Sequence, residues 1–74
     1  MSEAGTPEER ITGFVRWWDR EQGRGEIIPL NSEVPVPVVR ADLRSQSGSL
    51  SEGQQVTFTL ELGPVRFEAR DVRP

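Results

Sequence analysis

Between residues 34 and 39 the chain reads VPVPVV, a pattern that few folds accept. The alternation sets Val34, Val36 and Val38 toward a core and Pro35 and Pro37 away from it. In an extended strand, amides two residues apart point to the same lateral edge. Two prolines at this spacing therefore strip two donors from one edge. Such a strand pairs fully on one side only, and it resists unwanted edge-to-edge pairing.

The same period recurs along the chain. Ile11 to Trp18 reads ITGFVRWW, with Ile11, Gly13, Val15 and Trp17 on one face and Thr12, Phe14, Arg16 and Trp18 on the other. Both faces carry large apolar groups, so this strand is either buried on both sides or bent, and Gly13 permits sharp coiling. Asp19 to Gly23 is a polar turn in which Gly23 can supply a positive φ. Arg24 to Pro29 returns as a second strand. Gly25 sits in its middle, where a side chain would block the close approach of another backbone. A turn at 30–33 leads into the valine-proline strand. Arg40 to Arg44 fits one helical turn, and Ser45 to Gly53 a serine-rich mobile loop pinned by Leu50. Gln55 to Leu60 points Val56, Phe58 and Leu60 inward. Glu61 to Pro64 turns the chain into a last strand, Val65 to Val72, with Arg66, Glu68 and Arg70 outward. Five short strands, no long helix and a long loop after the third strand predict an all-β fold, a small closed antiparallel barrel.

With 74 residues the chain accommodates one domain, expected at 11–74. Residues 1–10 are small, polar and acidic without apolar periodicity, and are expected to form a disordered leader. Cysteine and histidine are both missing from the sequence. Disulfide bracing, thiolate metal sites and the commonest general base go with them, so neither catalysis nor a cofactor nor a metal is expected. Nine basic residues, all arginine, stand against twelve acidic ones, for a net charge of −3. The leader holds −2 of that, which leaves the barrel near neutral. A strong nucleic-acid binder normally shows a basic surplus. No apolar run approaches the ~20 residues of a membrane span, so a soluble cytoplasmic protein that avoids membranes is expected.

Residues 11–74 resemble the cold-shock domain, a five-stranded OB-fold barrel. The family's first strand reads T-G-x-V-K-W-F-N, and Thr12, Gly13, Val15, Arg16, Trp17, Trp18 and Asp19 fill that frame. Its first ribonucleoprotein motif, K-G-F-G-F-I, is matched by Gln22-Gly23-Arg24-Gly25-Glu26-Ile27. Its fourth strand, L-x-E-G-Q-x-V-x-F, is matched by Leu50, Glu52, Gly53, Gln54, Val56 and Phe58. The family's ending, alanine and then N-V, is echoed by Ala69, Asp71 and Val72. The departures fall together. Arg24 and Glu26 replace the two stacking phenylalanines, and Val34-Pro35-Val36-Pro37-Val38 replaces V-F-V-H-F.

The resemblance implies an OB-fold whose partner is single-stranded RNA or DNA, bound through a reduced face of Arg16, Trp17, Trp18, Arg20, Arg24, Pro35 and Pro37. Stacking contributes about 1–3 kcal/mol per base, so losing four aromatic platforms implies weak binding. The residues also leave simpler roles open: Trp18 closing the barrel, and Arg16 or Arg24 pairing with Glu26 across the sheet. A second reading is a protein-binding module, since Trp and Arg are enriched in hot spots and Trp17, Pro35 and Pro37 would make an apolar surface. Its partner would be an unidentified protein or another copy of the chain, as a monomer or weak dimer.

Overall fold

The alternation seen in the sequence becomes five strands in the computed structural model, which describes residues 10–74. Residues 1–9, the bulk of the expected leader, lie outside the described residues. The strands are β1 (Ile11–Asp19), β2 (Arg24–Pro29), β3 (Val36–Val39), β4 (Gln55–Leu62) and β5 (Phe67–Arg73). They form one antiparallel sheet in the order β3-β2-β1-β4-β5. β3 is laddered to β2 alone, in keeping with Pro37, which has no amide to donate; Pro35 precedes the strand. β5 curls round to pack against β3, and Leu43 bridges to Val72, so the sheet nearly closes into a barrel. A single 3₁₀ turn, Arg40–Asp42, follows β3 where one helical turn was expected.

Each strand contributes to one core: Val15, Ile27, Val36, Val38, Val56, Phe58, Ala69 and Val72 are buried, and Leu50 joins them from the serine-rich loop. Each large side chain here stabilises by about 1.5–3 kcal/mol through burial. Two residues expected in this core are not there. Val34 is 70% exposed. Its amide donates to the Ser32 hydroxyl (3.1 Å) in a turn, and the strand begins only at Val36. Leu60 is 37% exposed, because β4 outruns β1 beyond the Ile11–Phe58 pair and only β5 continues beside it. The last strand likewise begins at Phe67 rather than Val65, which is 90% exposed.

Two β-bulges interrupt the period of two. In β1, Val15 pairs with Ile27 and Trp17 with Glu26, so Arg16 is an extra residue. From there on the faces exchange: Trp17 turns outward and Trp18 turns toward the core, the reverse of strict alternation. In β5, Arg70 pairs with Thr59 and Arg73 with Thr57, which leaves one residue over. The extra residue is Asp71, at φ 52°, a left-handed conformation that aspartate tolerates better than most residues. This bulge lets Ala69 and Val72 both face inward.

Arginines fix the second bulge. Asp71 accepts from Arg44 (2.8 Å), Arg10 (2.9 Å) and Arg73 (2.9 Å). Arg10 also donates to the Asp71 carbonyl (2.7 Å) and the Thr57 carbonyl (2.9 Å). Arg10, which the sequence placed in the leader, is therefore bonded to the barrel. The hydrogen bond from Arg44, followed by those from Arg73, holds the Asp71 carboxyl below its usual value of 3.8. A group depressed in the folded state contributes stability above its unfolded pKa and loses it as pH falls through the folded one. The urea midpoint of the wild type should therefore exceed that of Asp71→Asn at pH 7. The gap should narrow only as pH drops below about 4, the unfolded carboxylate range. A gap that stays constant down to pH 2.5 would show that the carboxylate contributes no charge-dependent stability.

Candidate nucleic-acid interface

The outward face of β1, β2 and β3 gathers most of the residues singled out in the sequence. Register does this. Trp17 lies opposite Glu26, and Glu26 opposite Pro37, so the three form one row across the sheet. Arg24 lies in the next row, between Asp19 and Val39. Trp17, Arg24, Glu26, Pro37, Val39 and Arg66 border a hollow of about 270 Å³. Phe14, 38% exposed opposite Ile28, continues the face on the far side of Glu26.

Glu26 organises the middle of this face. Its Oε1 accepts the Trp17 indole N–H (3.0 Å) and an N–H of Arg16 (3.2 Å). The indole is thus held by a charge-assisted hydrogen bond and not by packing alone. The Arg16 side chain is 58% exposed, so its ion pair contributes at most about 1 kcal/mol. Of the two pairings the sequence allowed, Arg16 with Glu26 forms and Arg24 with Glu26 does not.

The turn leading into β2 is built from local bonds. The Asp19 carboxylate accepts from the amides of Glu21 (2.9 Å) and Gln22 (3.0 Å). Gly23 follows at φ 68°, and a Cβ there would lie 2.9 Å from the Arg40 guanidinium carbon. Arg40 was not anticipated in any role. Its guanidinium donates to the carbonyls of Arg20 and Gly48, and its amide to that of Gly23 (2.8 Å). It therefore ties the turn to the serine-rich loop.

Three expected site residues stand apart from the hollow. Trp18 faces inward, packed against the core, so its place is in the barrel wall and not on the outer face. Its indole nitrogen is buried without a hydrogen-bond partner. An unmet donor of this kind costs about 1–3 kcal/mol, so Trp18→Phe should cost less than about 1 kcal/mol despite the smaller ring. A loss of several kcal/mol in urea denaturation would show that the nitrogen is satisfied by something the fold does not display. Pro35 borders a second hollow of about 280 Å³ at the barrel end, with Ile11, Val34, Leu60 and Phe67. Arg20 lies in the turn with its side chain exposed.

The arginines divide by region. Arg10, Arg44 and Arg73 converge on Asp71, while Arg70 pairs with Asp42, Glu61 and Glu68. The bond to Glu68, foremost, raises the Arg70 pKa above its usual value. Among the described residues Arg20, Arg24 and Arg66 make no ion pair, and Arg24 and Arg66 border the Trp17 hollow. The sequence assigned Arg66 only to an outer face. Its position here depends on β5 closing against β3, which no local pattern reports.

Known proteins share the fold and part of the sequence. The chain is 38% identical over 56 residues to the cold shock-like protein CspJ of Salmonella typhimurium (strain LT2), covering 74% of this chain and 80% of that one. It is 37% identical over 62 residues to the cold shock-like protein CspA of Shewanella violacea, covering 82% and 89%. The chain belongs to the cold-shock protein family. A third family member, the cold shock protein CapB of Pseudomonas fragi, is 34% identical over 64 residues, 86% of this chain and 93% of that one. Among solved structures, Drosophila Unr CSD456 superposes with a TM-score of 0.77 at 16% identity. That match covers 93% of this chain and 28% of the longer one, and it supports the cold-shock fold. No model of a known protein family matches the chain. Among the described residues of this cold-shock chain, no helix is long and apolar enough to cross a membrane.

Proposed function

We propose that the chain is a non-catalytic module that binds single-stranded nucleic acid weakly, through the outer face of β1–β3. One observation carries this reading: Trp17 stands at a hollow bordered by Arg24 and Arg66, two guanidiniums without a carboxylate partner among the described residues. An aromatic platform with unneutralised cations beside it is what a base and its phosphates require. The near-neutral charge of the barrel is compatible with this, because Asp42, Glu61, Glu68 and Asp71 are drawn into ion pairs away from the face. Affinity is low because the neighbouring positions hold Glu26 and Pro37 where stacking rings would otherwise lie.

A mixed-sequence single-stranded nonamer, titrated at low salt, should quench the tryptophan fluorescence. Added salt should reverse the effect. Two or three phosphate contacts give a slope of log K against log salt of about −1.4 to −2.1. No response at ~100 μM strand, the weak end of non-specific binding, would exclude the reading.

The barrel-end hollow supports a second reading, a protein contact. Its border is mostly apolar, and Val34 and Phe67 beside it are 70% and 54% exposed. In that case a partner recovered from the host is released by Phe67→Ser and unaffected by Trp17→Ala.

A further inference from the structure

We propose that Glu26 makes this face select bases that carry amino groups, guanine foremost, over thymine and uracil. The inference rests on the nucleic-acid reading above and assigns its base preference. Glu26 occupies the centre of the row, between Trp17 on one neighbouring strand and Pro37 on the other. Its side chain is 21% exposed, enough to be reached and too little to swing away. A carboxylate offers about four acceptor positions on two oxygens. Oε1 already takes two donors, from Trp17 and Arg16. Among the described residues, Oε2 takes none.

The two bonds at Oε1 fix the orientation of the carboxylate, so the remaining oxygen is held in place before any ligand arrives. The carboxylate lies at the Nε1 edge of the indole, so a base stacked on Trp17 and extending past that edge comes within reach of the free oxygen. Glu26 can only accept, and the base must therefore bring a donor. Guanine presents N1–H and its 2-amino group side by side. Cytosine and adenine each present one amino group, at N4 and N6. Thymine and uracil present a single N–H between two carbonyl oxygens, and those oxygens face the carboxylate at a cost. Guanine also has acceptors, O6 and N7, that match arginine. Arg24 and Arg66 border the same hollow. A site built around a fixed polar group discriminates against ligands that leave the group unpaired.

The test is binding of labelled heptamers to the full chain at low salt, read by anisotropy. One heptamer is all thymidine, and in the others the central base is guanine, hypoxanthine or cytosine. The guanine heptamer should bind about tenfold tighter than the thymidine one, toward the lower end of what a specific base contact gives. Hypoxanthine lacks the 2-amino group and should fall between them, as should cytosine. Glu26→Gln keeps the size but can also donate, so it should strengthen thymidine binding and erase the preference. Equal affinity for all heptamers, or a guanine preference that survives Glu26→Gln, overturns this inference and leaves the nucleic-acid reading intact. If no heptamer binds, the nucleic-acid reading fails, and this inference with it.

Discussion

Gly25→Ala should unfold this domain, or nearly so, although it adds a single methyl group. The new Cβ would run into the Trp17 carbonyl oxygen and lie 2.9 Å from the Trp18 ring. The first contact is with backbone. It cannot be relieved by a rotamer change, and moving β1 away from β2 breaks the ladder on both sides of the Trp18–Gly25 pair. Overpacking a core costs about 1–3 kcal/mol even where side chains can yield. Here they cannot, so about 3 kcal/mol or more is expected. At roughly 0.05–0.15 kcal/mol per residue, a domain of this size has only several kcal/mol to lose. Thermal unfolding followed by circular dichroism reads the effect. Gly53→Ala is the control. Gly53 sits at φ 81° with open space around it, so only the backbone conformation is strained, at about 1–2 kcal/mol. Equal losses at the two positions would contradict the close-packing account.

Trp17→Ala should weaken single-strand binding by roughly 5- to 150-fold, the range set by stacking one base, and should leave the urea midpoint close to that of the wild type. The ring lies on the outer face and is not part of the core cluster. What holds it is the hydrogen bond to Glu26 together with partial burial. Arg24→Ala should act differently. It should reduce affinity modestly and flatten the salt slope by about 0.7, the share of one phosphate on a single strand. Labelled-strand anisotropy is the better readout, because the substitution removes one of the two fluorophores. Unchanged affinity in Trp17→Ala would place any nucleic-acid contact elsewhere on the barrel.

Much of the fold was legible in the sequence. The valines at 36, 38 and 56, with Phe58, announced their strands by period, and Gly23 announced its turn. Strand β3 pairs on one side, in keeping with Pro37, although Pro35 falls outside it. The bulges were not legible. Nothing about arginine marks residue 16 as an insertion in the ladder, so strict alternation assigned Trp17 and Trp18 to the wrong faces. Asp71 carried a faint sign, because aspartate tolerates the left-handed region, but two of its three arginines, Arg10 and Arg44, come from distant parts of the chain. Arg66 and Arg40 were missed for a related reason. Both act across elements that meet only when the barrel closes. The charge count also concealed a division of labour, since a sum over arginines does not show which ones the carboxylates already occupy.

The bulge at Arg16 has an effect on coding density. A regular strand can show the solvent only alternate residues, so a neighbouring cation and ring in the sequence end up on opposite sides. With one residue too many, Arg16 and Trp17 emerge on the same side in immediate succession and reach the same carboxylate oxygen. Two consecutive letters of the sequence thus become two adjacent features of one surface, and a four-ångström stretch of backbone carries what a regular strand spreads over about 7 Å.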